Sequence, residues 1–298
     1  MINKYINYIS KTLNTIYYHI KYGGTGIVIN SWIYLRFDKI RHRNFGDELN
    51  YYLLCELTEQ PISNLIDICK WGRRGKTDLL FIGSLVEDFT TPDTIIWGSG
   101  AICGGNKILR NKPKEVRAVR GKLTRNYLLN NGVYCPEIYG DPALLCPLIY
   151  QSPVEKKYKI GLIPHVDDFH NPIVKVLEER GVYIIKLADY KKWHDVIDEI
   201  CQCEIIVSSS LHGLILADAY EIPNVWATIS GKLLGGTFKF QDYFSGVNRC
   251  VDLPLILTET TSIPEIEQLA QNYSTIDFDI SKFIKSAPIK ISLSKCLN

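Results

Sequence analysis

Short apolar runs alternate with helix-period stretches along most of this chain, and that alternation constrains its fold more than any other feature. The runs 27–36 (IVINSWIYLR), 78–82 (DLLFI), 94–97 (TIIW), 116–119 (VRAV), 159–163 (KIGLI), 182–187 (VYIIKL), 204–208 (EIIVS) and 224–227 (NVWA) read as strands. Between them, 47–58, 121–131, 172–180, 191–202 and 211–220 read as helices. Strands joined through helices lie parallel with the helices covering the sheet, so an α/β protein with parallel sheets is predicted. At 298 residues the chain exceeds what one core usually spans, and two domains follow. The polar, proline-bearing QSPVEKKY (151–158) marks the boundary. The expected organisation is an N-terminal helix over 1–24, one α/β domain over 25–150, a second over 151–250, and a helical tail over 251–298. In that tail SIPEIEQLAQNY and DISKFIKSAP read as two helices, free to return to the first domain.

Composition narrows the functional classes. Hydrophobic residues make up 46% and charged residues 22%, a globular mixture. A net charge of +2 with no Lys/Arg stripe gives nucleic acid no footprint. The nine cysteines are Cys55, Cys69, Cys103, Cys135, Cys146, Cys201, Cys203, Cys250 and Cys296. An odd number scattered through apolar runs, without a secretory leader, indicates reduced thiols and a cytoplasmic protein. Cys201-Gln-Cys203 lacks both CxxC spacing and a second ligand pair, and reads as buried small residues. No stretch reaches the length of a membrane span.

The first 22 residues form an amphipathic pattern. Ile2, Tyr5, Ile6, Ile9, Leu13, Ile16, Tyr17 and Ile20 fall within an arc of roughly 120° at ~100° per residue, with Lys4 and Lys11 opposite. Residues 1–43 carry seven Lys/Arg against one acid, Asp38, for +6. The expectation is a helix that packs its stripe on its own domain. The alternative is an interfacial helix, residues 1–21, drawn to anionic lipid. A signal peptide is excluded by the absence of an uninterrupted apolar core.

Ligands of parallel α/β sheets sit beyond the carboxyl ends of the strands, and two such domains leave a cleft between them. Polar residues just after strands are therefore the candidates. In HRNFGDELN (42–50), Gly46 permits a sharp turn, and Asp47 stands as a helix cap or a cleft carboxylate. In WGSGAICGG (97–105), Gly98 and Gly100 let backbone N–H groups approach an anion. Cys103 stands where a dinucleotide fingerprint needs its third glycine. Arg120, ending a strand before Gly121, is either a surface charge or a bidentate ligand for carboxylate or phosphate.

The stretch SSSLHGLILADAYEIP (208–223) places Ser209, Ser210, Leu211, His212 and Gly213 at the start of a helix. Free N–H groups and the dipole make that terminus an anion site. They also disfavour imidazolium at His212 unless a bound anion reverses the effect, and a histidine beside an anion is placed to donate a proton. The plain alternative is a capped helix with a packed histidine. LIPHVDDFH (162–170) adds His165 at a strand end. Asp168 and His170 there read as an exposed loop, since the spacing matches no metal-ligand set. FKFQDYFSGVNR (238–249) supplies Lys239 and Arg249 among aromatics.

In this order the chain resembles the polysaccharide pyruvyl transferase family. The resemblance rests on Asn44-Phe45-Gly46-Asp47, Trp97-Gly98-Ser99-Gly100, Val119-Arg120-Gly121, Gly140-Asp141-Pro142-Ala143, Ile163-Pro164-His165, Ser210-Leu211-His212-Gly213 and Phe238-Lys239-Phe240 through Arg249. It implies a GT-B-like architecture of two Rossmann-like domains facing a cleft, with acceptor and part of the donor site on the first and the donor side on the second. It implies transfer of the enolpyruvyl group of phosphoenolpyruvate onto a sugar, with phosphate released and neither metal nor cofactor. Arg120, residues 209–213 and Lys239 are then donor ligands. Asn44, Gly46, Gly98, Ser99, Gly100 and Arg249 are then acceptor or cleft residues. The arginine that the family often carries before Leu-His-Gly is Ser210 here, and Lys239 or Arg249 would supply the missing charge.

In the implied chemistry His212 is the acid, Asp47 the base with His165 as its rival, and Arg120 holds the donor's carboxylate or phosphate. The acceptor would be a sugar of an exopolysaccharide or capsule precursor, lipid-linked at the inner face of the membrane if the N-terminal helix binds there. Trp97, Tyr139 and Trp226 read as sugar-stacking or core aromatics. A GT-B glycosyltransferase using a nucleotide sugar and a non-catalytic phosphosugar-binding protein are the competing readings.

Overall fold

Two five-stranded, wholly parallel sheets carry the fold in the computed structural model, which describes residues 2–73, 78–231 and 235–292. Cys296 and the side chains of Ile2 and Lys4 lie outside the described residues. The first half runs through β1 (Ile27–Ile29), an antiparallel hairpin of β2 (Leu35–Arg36) and β3 (Lys39–Ile40), then β4 (Ile62–Asn64), β5 (Asp78–Leu80), β6 (Thr94–Trp97) and β7 (Glu115–Ala118). The second half holds β8 (Tyr158–Ile163), β9 (Tyr183–Ile184), β10 (Cys203–Ser208), β11 (Asn224–Thr228) and β12 (Leu255–Ile256). The sheet orders are β4-β1-β5-β6-β7 and β12-β11-β10-β8-β9. Each half thus repeats one doubly wound plan, with the second strand outside the first and the third on its other side. The order reverses at β1/β5 and at β8/β10, the places where such sheets open a crevice.

Helices α1 (Ile2–Tyr22), α2 (Phe45–Thr58), α3 (Val86–Phe89), α4 (Lys122–Asn130) and α5 (Cys146–Ile149) accompany the first half. Helices α6 (Pro172–Glu179), α7 (Trp193–Cys201), α8 (Leu211–Ala219), α9 (Phe238–Gly246), α10 (Ile263–Ala270) and α11 (Ile280–Lys285) follow. Helix α2 buries Phe45, Leu49, Leu53, Leu54 and Leu57 at helical spacing, starts on the Asn44 cap and stops at Glu59 in the left-handed region. Helix α8 is buried all round, with Leu211, Leu214, Ile215, Leu216 and Ala217 in contact with both its sheet and its neighbours. Only a helix internal to the protein tolerates that composition.

Several expectations change. The strand expected over 27–36 ends at Ile29, because the buried Asn64 amide takes over its ladder: its Oδ1 accepts the Ser31 N–H and its Nδ2 donates to Ser31 O and Ile33 O. The run 182–187 forms only the two-residue β9. Strands β4 and β12 were not expected, being too short to show a period. Asp168 is buried, not in an exposed loop. Trp97 and Trp226 are core residues, enclosed by Phe81 and Phe283 and by Phe240 and Phe244 respectively.

The N-terminal helix packs the face opposite to the expected one. Asn14, Thr15 and Tyr18 are buried, and Asn14 donates to Leu35 O and Asp67 O while accepting the Phe37 N–H. The apolar stripe of Ile6, Ile9, Leu13, Ile16 and Ile20 faces outward. Three directed hydrogen bonds on a buried amide outweigh the freedom of the stripe to turn inward, because leaving them unmade would strand buried polar groups.

The tail reaches the first sheet. Fully buried Phe283 stacks on Trp97 at 5.2 Å, and the Trp97 indole donates to Ser286 Oγ at 3.1 Å. Truncating such a ring leaves a cavity at the edge of β6, so Phe283→Ala should cost about 3–5 kcal/mol in urea unfolding. A loss below about 1 kcal/mol would show that the tail does not brace this sheet.

Candidate active site

The three serines after β10 have a structural explanation. Ser208 Oγ accepts the Ser210 N–H and lies 3.1 Å from Ile163 O at the end of β8. Ser209 Oγ accepts the His165 N–H at 2.9 Å, and the Ser209 N–H donates to Ile163 O. The hydroxyls therefore knit together the two strand ends that flank the β8/β10 switch point. Ser210 occupies the N-cap of α8 without a capping side-chain bond. A Cβ on Gly213 would collide with Ser208 Oγ, so glycine lets α8 start hard against the strand ends.

That arrangement sets the His212 ring directly against Gly46, where any Cβ would collide with Nδ1. The N-termini of α2 and α8 thus face each other across one histidine. Helix α2 is held there by the second half: Phe45 N–H donates to Leu187 O, and Tyr190 donates to Glu48, whose other oxygen accepts the Arg43 and Asn44 N–H groups. Asn44 caps Gly46 N–H and donates to Asp47 Oδ2 at 3.0 Å, which orients that carboxylate in the first turn of α2.

Asp141 was quoted within a motif but given no role by sequence reasoning. It is fully buried, with Oδ1 accepting the Ala143 N–H as cap of the turn Pro142–Leu145, which packs on α8. Its Oδ2 lies 4.0 Å from His212 Nε2, and neither atom has a hydrogen-bond partner among the described residues. Two buried polar atoms facing each other without partners among the described residues make this point a candidate for ligand contact. The signal available was an aspartate before proline at the start of a turn, which reads as a cap and conceals the second oxygen.

The charges around this point are coupled. Burial pushes the His212 imidazole down to about 3, helped by the charges of Arg120 and Lys239, so the ring is neutral. Burial raises Asp47 to about 7, with Glu48 adding to the effect, and raises Asp141 to about 7, with Asp242 adding. Lys239 is lowered to about 8 by burial and then by Arg120. His165 is lowered by burial and by Lys239. Its Nδ1 accepts the Asp167 N–H at 3.3 Å, which leaves the proton of the neutral ring on Nε2. Asp47, Asp141, His165, His212, Lys239 and Arg120 thus share one electrostatic neighbourhood, poised for an anion and for proton transfer near neutral pH.

Other expected residues do not present themselves to a ligand. Arg120 is fully buried: Nε and Nη2 meet Asp242 Oδ2 at 2.9 Å, Nη1 donates to Ser84 Oγ and Nη2 to Ala101 O. It acts on the site through its field. The Gly98 and Gly100 N–H groups donate to Ala118 O and Gly83 O, Ser99 Oγ donates to Gly83 O, and the Ile102, Cys103 and Gly104 N–H groups hold the buried Glu87 carboxylate, so the anion that this loop cradles is the protein's own. Gly100 is needed because the Arg120 guanidinium lies against it. Arg249 is a brace for the second sheet, donating to both Asp218 oxygens and to Asn224.

Comparison with known proteins bears on this geometry. The profile of the polysaccharide pyruvyl transferase family matches residues 4–230. An uncharacterized protein of Acanthamoeba polyphaga mimivirus is 33% identical over 222 residues, 70% of this chain and 74% of that protein. The succinoglycan biosynthesis protein ExoV of Rhizobium meliloti (strain 1021) is 30% identical over 214 residues, 68% of this chain. The match spans 61% of ExoV, less than two thirds of its length. No solved structure gives a significant match.

The buried carboxyl of Asp141 makes a testable demand on stability. Its folded value of about 7 lies above the ordinary 3.8, so it costs nothing below about pH 4, and its cost grows up to about pH 7 and is complete above that. Asp141→Asn, which keeps the acceptor for Ala143, should raise unfolding free energy near pH 8 by about 2 kcal/mol, with the gain vanishing toward pH 4. Equal destabilisation at both pH values would contradict the raised value.

Proposed function

Because the chain belongs to the polysaccharide pyruvyl transferase family, we propose that it moves the enolpyruvyl group of phosphoenolpyruvate onto two hydroxyls of one sugar in a surface-polysaccharide precursor. The product is a pyruvate ketal, and inorganic phosphate is released. The observation that supports this most is the pairing of two helix N-termini on a neutral histidine, with Lys239 alongside and the unpartnered Oδ2 of Asp141 behind. A donor carrying a phosphate and a carboxylate needs such a site: N–H dipoles and one ammonium, beside carboxyls that burial holds partly protonated.

The chemistry follows from the protonation states. The methylene carbon of phosphoenolpyruvate must gain a proton, and Asp141, raised to about 7, carries one in about half of the molecules at neutral pH. Neutral His212, 4.0 Å away, donates a hydrogen bond to the bound anion and passes the proton onward as that anion raises its basicity. This shifts the acid from His212 alone to the His212–Asp141 pair. The developing positive centre at C2 is attacked by a sugar hydroxyl that loses its proton to Asp47, whose value near 7 suits a base. The C2–O bond to phosphate then breaks, with Lys239 and the Nε2–H of His165 neutralising the leaving group. The second hydroxyl closes the ketal on the same carbon and gives up its proton to the departing phosphate.

In this reading the two parallel-sheet halves form a GT-B-like pair, with α8, His165 and Lys239 on the donor side and α2 on the acceptor side. The acceptor is a lipid-linked oligosaccharide, and phosphoenolpyruvate is the donor substrate with no further cofactor.

The test supplies phosphoenolpyruvate and oligosaccharides from surface polysaccharide. Phosphate should be released only when both are present, and the sugar should gain the mass of pyruvic acid less water. His212→Gln should keep the fold and cut turnover at least ~100-fold. Near-normal turnover in that variant would remove His212 from the reaction. Activity with a nucleotide sugar, and none with phosphoenolpyruvate, would replace the reading by glycosyl transfer.

A further inference from the structure

Helix α1 is an amphipathic helix mounted inside out. Its protein-facing side is polar, anchored by Asn14, Thr15 and Tyr18, with the Cys69 N–H donating to Thr15 Oγ1. Its outward side is apolar: Ile6 is 59% exposed, Ile9 57%, Leu13 52%, Ile16 40% and Ile20 79%. On a helical wheel the two faces lie about 180° apart. Large apolar residues in one row facing solvent mark a surface that something else covers. No helix among the described residues is long and apolar enough to cross a membrane.

The charge beside the stripe identifies the cover. Hairpin β2–β3 is tied to α1, with Arg36 donating to Asn7 and Ser10, and Tyr17, Tyr22 and Lys21 all donating to Asp38. Asp38, the single acid of residues 1–43, is thereby neutralised at 2.7 Å by Lys21. The hairpin brings exposed Lys39 and Arg41 alongside the helix. Lys11 lies on the opposite, protein-facing side of the helix, where it and Lys70 line a cavity of about 990 Å³ with Tyr8, Trp32 and Trp71. The exposed apolar row with the cations of the adjoining hairpin matches a bilayer interface, where chains enter the acyl boundary and cations meet phosphates. A second copy laid stripe to stripe would bring two segments of +6 together, which opposes self-association through this face.

We propose that α1 and the adjoining hairpin seat the protein on an anionic lipid bilayer, with α1 lying in the plane of the surface and its Asn14 face holding the catalytic domains above it. The proposal stands apart from the reaction, since it uses none of the residues assigned to the cleft.

Flotation of the full-length protein with vesicles tests it. Phosphatidylglycerol–phosphatidylcholine vesicles should carry the protein upward, phosphatidylcholine alone should bind at least about tenfold more weakly, and high salt should weaken the anionic binding. The variant Ile9→Ser/Leu13→Ser/Ile20→Ser leaves the anchoring face intact, so it should keep the thermal midpoint and turnover with a soluble sugar. It should also lose vesicle affinity by about tenfold or more. Unchanged vesicle binding by this folded variant would overturn the proposal. So would absence of wild-type binding to anionic vesicles, or a wild-type dimer that the variant converts to monomer with no vesicle binding by either. Turnover is read in the same variant, so a failed docking surface and a failed reaction would be told apart.

Discussion

The Arg120–Asp242 ion pair is the contact on which the rest of the structure depends. Both side chains are fully buried, and a guanidinium without water must be paired and hydrogen-bonded throughout or it would not stay folded in. Asp242 also accepts the Thr124 N–H and hydroxyl, so it fastens the start of α4 to α9. Glycines make this closure possible: a Cβ on Gly121 would strike Asp242 O, and one on Gly246 would strike Arg120 O. Lys239 stands three residues before Asp242, one helical turn away on α9. The Arg120 of the pair that joins the halves also adds to the burial that keeps His212 neutral.

A second constraint is the meeting of α2 and α8. Gly46 is bare so that His212 can lie against it, and the neutral ring removes the repulsion that a cation would suffer between two helix dipoles. The cost is a pair of buried, unpartnered atoms on His212 and Asp141. Such groups subtract from stability and persist where a ligand completes them, which is the usual trade at a working site.

Much of the fold was legible because its period is regular. The strands at 94–97, 116–119, 159–163, 204–208 and 224–227 and the helices between them recur within a residue or two, and the order of motifs along the strand ends pointed to one family. What failed to show was set by contacts between distant residues. Asn64 shortened the first strand, and Asn14 turned α1 over; a hydropathy wheel sees neither amide. Gly98 and Gly100 looked like an anion loop, yet they are small because Arg120 and Pro142 press on them. Arg120 and Arg249 both looked available, and both are consumed by aspartates far along the chain. Of the candidate site, His212, Asp47, His165 and Lys239 were legible as polar residues after strands or in a motif. Asp141 was hidden because its capping role is real and accounts for only one of its two oxygens.

The central claim is that the site is held uncharged at His212 until an anionic donor arrives. Histidine-selective NMR of the free protein and its phosphoenolpyruvate complex measures this directly, with His212→Gln assigning the resonance. The account predicts a neutral His212 ring throughout titration down to about pH 5 in the free protein, and a shift of its proton toward the ring when phosphoenolpyruvate binds. A free-protein His212 that titrates near the ordinary 6.5 and ignores phosphoenolpyruvate would contradict it.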